Sequence, residues 1–274
     1  MTKMEELCRW VRHESPLKNM AGLWNTIRPF YDGYWRLVAR DGLPRTINGT
    51  DSLRISPRLR HLNDIYEPQV WKCLMQEIRT GDNFVDVGAF VGLYSVAVGL
   101  RVGSSGRIWA FEPDLANFDL LTQHIAINAL EKIVVAKNMA VSNKTLSAVF
   151  VSGKGSESHL ATDLNAQGKR ISIIALQEFF GQQRVDVLKV DVEGFEQAVL
   201  EGAMELLKNL QFRPRSIFIE MHPFAWARSG ASSERILQLL EEADYHVYSL
   251  DGRRIACVDS YCEVIARPAV ATAM

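Results

Sequence analysis

Apolar residues in this chain gather in short runs separated by polar turns, and from residue 83 onward two kinds of run alternate. The runs 83–87, 107–112, 133–137, 185–190 and 215–220 are rich in β-branched and aromatic residues and predict buried strands. Between and after them, 92–101, 114–129, 195–208 and 232–243 place apolar residues at helical spacing. Strand–helix alternation predicts a mostly parallel sheet covered on both faces. Two more short strands, 145–151 and 171–174, interrupt the alternation around a Gly/Ser-rich loop, 152–158. Residues 245–250 and 261–266 flank a turn at Asp251-Gly252 and predict an antiparallel hairpin at the sheet edge. Ahead of this domain, irregular apolar faces broken by Pro16, Gly22 and Pro29 predict helices over 1–40. A small hairpin turns at Asn48-Gly49, and a helix over 68–79 stops at Gly81. The chain therefore divides into an extension over 1–60 and an α/β domain over 61–274. The aromatics of the extension, Trp24 and Trp35 among them, suit packing better than a lid or a homodimer face.

The first strand runs into a glycine turn, Phe84-Val85-Asp86-Val87-Gly88-Ala89-Phe90-Val91-Gly92. Glycine admits unusual backbone angles and lets a ligand approach the main chain, so strand, turn and helix together read as a nucleotide-like cofactor site. The second strand ends in Glu112-Pro113, a little over twenty residues on, close to the spacing of a ribose-binding acid; Pro113 stops that strand. A pyrophosphate needs a second glycine where Phe90 stands, and the Lys-Ser/Thr pair of a P-loop is missing. The turn suits a ligand without phosphates that offers an amino-acid end to the turn and a ribose to Glu112. S-adenosylmethionine is such a ligand.

The formal net charge of −1 gives no electrostatic footprint for nucleic acid or an anionic membrane. Cys8, Cys73, Cys257 and Cys262 are spaced for neither a zinc site nor a disulfide framework. The N-terminus lacks a signal-peptide core, and the expectation is a soluble cytoplasmic protein. The apolar run 84–100 carries Asp86 and three glycines, which favours a strand and a helix over a membrane span.

The segments VDVGAFVGLYS, AFEPDLANFDLL, NMAVSN, LKVDVEGFEQAVLEGA and IFIEMHP resemble, in that order, the FkbM family of S-adenosylmethionine-dependent methyltransferases, and Tyr66-Glu67-Pro68 resembles its lead-in. The resemblance covers roughly 60–255. It implies a Rossmann-like class I methyltransferase fold: a seven-stranded, mostly parallel sheet with an antiparallel edge strand. It implies that Gly88, Ala89 and Gly92 line the methionine end, that Asp86 orders the turn or meets the amino group, and that Glu112 beside Pro113 holds the ribose. Asn138 to Val141, with Ala140, would border the adenine, unless Asn138 only caps its strand; Glu67 would reach the amino group. Phe90 departs from the family's usual Asn.

Methyl transfer to a hydroxyl needs an aligned acceptor and a group that takes its proton, and ligands of such sheets sit beyond the carboxyl ends of the strands. Two clusters there qualify. In Lys189-Val190-Asp191-Val192-Glu193-Gly194, alternation puts Lys189, Asp191 and Glu193 on one side if the chain stays extended; a structural ion pair is the competing reading. In Glu220-Met221-His222-Pro223, the ordinary pKa of histidine makes His222 the leading general base, with Glu220 as its orienter or as a partner of Lys189. No metal is assigned: a divalent ion on Asp191, Glu220 and His222 is the lesser reading, because histidine suits magnesium and manganese less well. His159 reads as a solvated loop histidine more readily than as a contact to cofactor or acceptor. The expected reaction is O-methylation of a hydroxyl on a sugar or secondary-metabolite acceptor, a small molecule or glycan. N-methylation, a binding protein that has lost catalysis, and an NAD-dependent oxidoreductase are the alternatives.

Overall fold

A computed structural model describes residues 37–151, 159–161 and 169–269, together with 10, 29–30 and 33–35. Trp24, Cys8 and the loop 152–158 lie outside the described residues, as does most of the helical reading of 1–40. Two compact units emerge, Met1–Leu43 with Ile55–Leu62, and Pro44–Arg54 with Asn63–Met274. In the first, Trp35 is buried and meets Tyr34 edge-on.

The second unit is built on a seven-stranded sheet. Strands Leu43–Ile47 (β1) and Asp51–Ile55 (β2) form a separate two-stranded sheet, turned by Asn48 and Gly49, both with positive φ. The Asn48 side chain fixes the incoming chain by donating to the Tyr66 carbonyl at 2.7 Å and accepting from the Tyr66 amide at 3.0 Å. The main sheet comprises Asn83–Val87 (β3), Arg107–Phe111 (β4), Val134–Lys137 (β5), Val187–Val190 (β10), Ser216–Met221 (β11), Tyr245–Ser249 (β12) and Cys262–Pro268 (β13), in the order β12-β13-β11-β10-β3-β4-β5. Strands β6 to β9 are Met139–Val141, Leu146–Val151, His159–Ala161 and Lys169–Ile174, a four-stranded sheet in the order β6-β9-β7-β8. The terminal hairpin closes the main sheet as the alternating pattern predicts, with one refinement. The antiparallel strand is β13, the inner member of the hairpin, pairing both β11 and β12.

The helices of this unit are Pro68–Glu77 (α1), Leu93–Val102 (α2), Leu115–Ile127 (α3), Leu176–Phe180 (α4), Glu196–Glu201 (α5), Met204–Lys208 (α6), Pro223–Ser229 (α7) and Ser233–Glu242 (α8). Covered by them, the central strands are apolar toward both faces: Val85, Leu188 and Ile217 are buried on one, and Phe84, Val187 and Phe218 on the other. The single helix expected over 195–208 is two. Gly202 packs so closely on Ser142 that a Cβ there would lie 2.1 Å from the Ser142 carbonyl oxygen, and the Gly202 carbonyl accepts from the Gln177 amide instead of continuing the helical ladder.

Helix α1 is pinned at both ends. At its start the Glu67 carboxylate accepts from the Tyr94 hydroxyl at 2.8 Å; at its end Glu77 accepts from Ser216 and pairs with Arg267. The amino-terminal edge of the sheet is closed by further ion pairs, Arg215 with Asp82 and Asp186, and Arg184 with Asp186.

The carboxyl ends of β3 and β10 touch through backbone. The Asp191 amide donates to the Val87 carbonyl at 2.9 Å. A Cβ on Gly88, whose φ is +80°, would stand 1.7 Å from the Asp191 carbonyl oxygen. Gly88 therefore makes room for the Asp191 backbone, and the space beside Gly92 is taken by Leu121. Gly88→Ala is expected to destabilise the protein by about 3 kcal/mol or more, combining backbone strain with a clash against main chain. Urea denaturation of the variant against the native chain measures it.

Candidate active site

The turn after β3 is held from the neighbouring strand. The amides of Gly88 and Ala89 both donate to the Phe111 carbonyl, at 3.0 and 2.9 Å. The Phe90 amide donates to Glu112 Oε2 at 2.8 Å, while Oε1 of the same carboxylate accepts from the Asp114 amide at 2.9 Å. Glu112 is buried at the end of β4. Desolvation outweighs these hydrogen bonds and pushes its pKa up to about 7. Phe90 adopts a left-handed backbone, φ +50°, and its ring is 48% exposed. The Asn138 amide donates to the carbonyls of Glu112 and Pro113, at 2.9 and 3.0 Å, which locks the ends of β4 and β5 together. Ala140, expected beside the adenine, is instead buried with Ile171 and Ile173 in the small sheet, because it lies in β6 rather than in the loop after β5.

Behind the turn lies a buried lysine. Lys189 donates to Asp191 Oδ2 at 2.9 Å and stands 4.9 Å from the centre of the Tyr94 ring. It sits in register with Asp86 of β3. Burial opposes its charge, but Asp191, Asp86 and Glu67 together hold its pKa above the usual lysine range. Asp86 Oδ2 accepts from Ser95 at 2.6 Å, whereas its other oxygen is buried without a hydrogen-bond partner. Burial raises the pKa values of Asp86, Asp191 and Glu67, in each case against the pull of Lys189.

His222 caps α7 and is 2% exposed. Its Nδ1 lies 2.8 Å from Glu196 Oε1, and its Nε2 lies 3.3 Å from Glu220 Oε1 and 3.6 Å from Glu193 Oε2. Burial alone would favour the neutral ring, yet these carboxylates, Glu196 and Glu220 foremost, raise its pKa to about 10. This corrects the expectation of an imidazole poised near neutrality: at neutral pH His222 is an imidazolium with both nitrogens engaged, and it offers no lone pair to an acceptor proton. Glu220 is held by this ring and by the Tyr261 hydroxyl at 2.6 Å, which makes it the partner of His222 rather than of Lys189. The chain does not stay extended after Asp191, for Glu193 and Gly194 both have positive φ. Glu193 nonetheless turns toward His222. Asp191, Glu193 and His222 each bring one donor atom within 4.8 Å of the others, so a cation would find Glu193 in the place assigned to Glu220.

Two participants were not singled out from the sequence. Glu196 is fully buried and accepts from the Gly194 amide and Trp226 Nε1, each at 2.8 Å; its signal was its spacing with the apolar Val199 and Leu200, which puts a carboxylate on the inner face of α5. Tyr94 had no signal beyond its place on α2. His159 lies in β8, not in a loop.

The strand order and the glycine turn define a class I methyltransferase. The model of the methyltransferase FkbM domain matches residues 86–247, more than half of the chain, and the chain belongs to that family. It is 26% identical over 190 residues to hexuronic acid methyltransferase AglP of Haloferax volcanii, covering 68% of this chain and 72% of the relative. It is 29% identical over 199 residues to methyltransferase sdnD of Sordaria araneosa, covering 60% and 73%. Among solved structures, an S-adenosylmethionine-dependent O-methyltransferase of Thermotoga maritima aligns with 14% identity and a TM-score of 0.44, covering 77% of this chain and 68% of that one. Fibrillarin of Aeropyrum pernix with bound S-adenosylmethionine aligns with 13% identity and a TM-score of 0.41, covering 72% and 74%.

The cofactor of the family is S-adenosylmethionine, and the residues present fit it. The unpartnered Asp86 oxygen and the Glu67 carboxylate near Lys189 suit the ammonium group of its amino-acid end. Glu112 Oε2, bound by the Phe90 amide, keeps acceptor capacity for a ribose hydroxyl, whereas Oε1 already accepts from the Asp114 amide and from the Asn117 side chain. No helix among the described residues is long and apolar enough to cross a membrane.

Because the folded pKa of Glu112 is raised to about 7, the protonated acid is the form that folding favours. Its contribution to stability is present below the ordinary carboxylate range and is lost as pH rises through 7, while ribose binding gains over the same interval. Affinity for S-adenosylhomocysteine, measured calorimetrically from pH 5.5 to 8.5, is expected to rise and level off above about 7.5. Glu112→Gln flattens the profile. His222 has a folded pKa raised to about 10, so its contribution is full below the ordinary histidine pKa and is lost as pH rises through 10. Thermal melts across that range are expected to fall more steeply for the native chain than for His222→Gln.

Proposed function

We propose that this methyltransferase acts on a hydroxyl of a sugar or secondary-metabolite acceptor, with Asp191 as the general base. The observation that carries this reading is the state of Asp191. It stands at the carboxyl end of β10, partly open to solvent, with one oxygen held by Lys189 at 2.9 Å and its pKa raised by burial. A carboxylate that is desolvated yet anchored by an ammonium is a better proton acceptor than a solvated one, and its position is fixed. The bound cofactor supplies an electrophilic methyl carbon on a sulfonium. The protein's part is to keep the acceptor oxygen in line with it, to take the proton on Asp191, and to hold Asp191 still through Lys189. In this reading His222 is a fixed positive charge that positions Glu220 and Glu193. The relative whose name specifies hexuronic acid supports a sugar acceptor, and the free thiols of Cys73, Cys257 and Cys262 support a reducing, cytoplasmic setting.

Methyl transfer to a panel of glycosides and hydroxylated small molecules, followed by mass spectrometry, tests the reaction. Asp191→Asn is expected to lower kcat by about 10²–10⁴-fold while the Kd for S-adenosylhomocysteine changes only a few-fold. A variant that retains native kcat would place the base elsewhere.

A further inference from the structure

Two exposed aromatic rings stand beside the carboxylates at the end of β11. Phe224 is 59% exposed and Tyr261 50%. Both meet the buried His222 ring edge-on with centroids 5.6 Å away, and the Tyr261 hydroxyl donates to Glu220. An aromatic surface takes the C–H face of a sugar-like ring, and neighbouring carboxylates accept its hydroxyl protons.

The charge of this surface restricts which ring it can take. Burial raises the pKa values of Glu67, Asp191, Glu193 and Glu263, and the nearby charge of Glu220 adds to each shift. Glu220 itself is held low, against burial, by hydrogen bonds with His222 and Tyr261 and by Lys189. The cations among them are already engaged: Lys189 is bound to Asp191, and His222 is bracketed by Glu196 and Glu220, with Glu193 farther off at 3.6 Å. An incoming carboxylate would meet several like charges with no free ammonium or guanidinium among these residues to receive it. Hydroxyls and ammonium groups would meet acceptors.

We propose that the acceptor site selects an uncharged or cationic polyhydroxylated ring and rejects one that carries a carboxylate, with Phe224 and Tyr261 as the stacking surface and Glu193, Glu220 and Glu263 as the charge filter. The proposal rests on the O-methyltransferase reading and narrows it. It separates this chain from the relative whose name specifies hexuronic acid: a quarter of the residues shared leaves room for a different acceptor charge.

The test is saturation-transfer NMR on the full chain loaded with S-adenosylhomocysteine, at neutral pH and low salt, with methyl glucoside, methyl glucosaminide and methyl glucuronide as probes. The neutral and amino glycosides are expected to bind at least about tenfold more tightly than the glucuronide. Glu193→Gln combined with Glu263→Gln is expected to shrink that gap to about threefold or less, and Phe224→Ala to weaken all three probes while S-adenosylhomocysteine still binds. Both acids are partly or largely exposed, so these variants should fold. Glucuronide binding equal to that of the glucoside overturns the proposal, as does an unchanged gap in the double variant or the absence of glycoside binding. Glucuronide binding that appears only with added Mn²⁺ overturns it too, and would assign the acids to a cation. Failure of the native chain to bind S-adenosylhomocysteine, read separately by calorimetry, would instead sink the methyltransferase reading.

Discussion

Burying the ammonium of Lys189 in the middle of a parallel sheet is the constraint from which the rest of the site follows. An isolated charge in such a place costs several kcal/mol and is tolerated only when it is paired. Asp191 supplies the direct bond, Asp86 the in-register neighbour, and Tyr94 the ring face. Each of these is held in turn: Asp86 by Ser95, Tyr94 by Glu67, Asp191 by the Val87 carbonyl and the gap left at Gly88. One buried charge thus ties α1, α2, β3 and β10 into a single corner, and that corner is where the glycine turn opens.

A second ionic nest, centred on His222, lies beside the first and shares its surplus of carboxylates. The two cations are spent inside the protein, on Asp191 and on Glu196 with Glu220. What remains toward solvent is acid in excess of those cations, Glu193 and Glu263 among it, and exposed aromatic rings. The ion clusters fix the strand ends structurally, and the acid left over shapes what the edge can bind. Both follow from the same excess of carboxyl groups.

The fold was legible because its signals are local. A β-branched run, a glycine turn and helical spacing each span fewer than about fifteen residues, and the edge hairpin announced itself through Asp251-Gly252. The break at Gly202 was hidden because its cause, the Ser142 backbone, lies sixty residues away in the chain. Glu112 could be placed from its spacing. Its bond to the Phe90 amide could not, since backbone donors leave no mark in side-chain identity. For His222 the residue type was readable and its protonation was not, because that depends on Glu196, Glu193 and Glu220 converging from three elements. Ala140 was misread for a related reason: sequence marks a short strand without saying which sheet it joins.

The opposite edges of the sheet carry different electrostatic characters. At the amino-terminal edge, Arg215, Arg184 and Arg267 neutralise Asp82, Asp186 and Glu77. At the carboxyl edge the acids outnumber their cations. A field of this shape draws a sulfonium toward the edge where it is consumed, most effectively at low ionic strength. Once the methyl group has left, the sulfur is uncharged and that pull on it is gone. Capture of the cofactor and discharge of the spent one are thereby biased in the same direction by a single, static arrangement of charge.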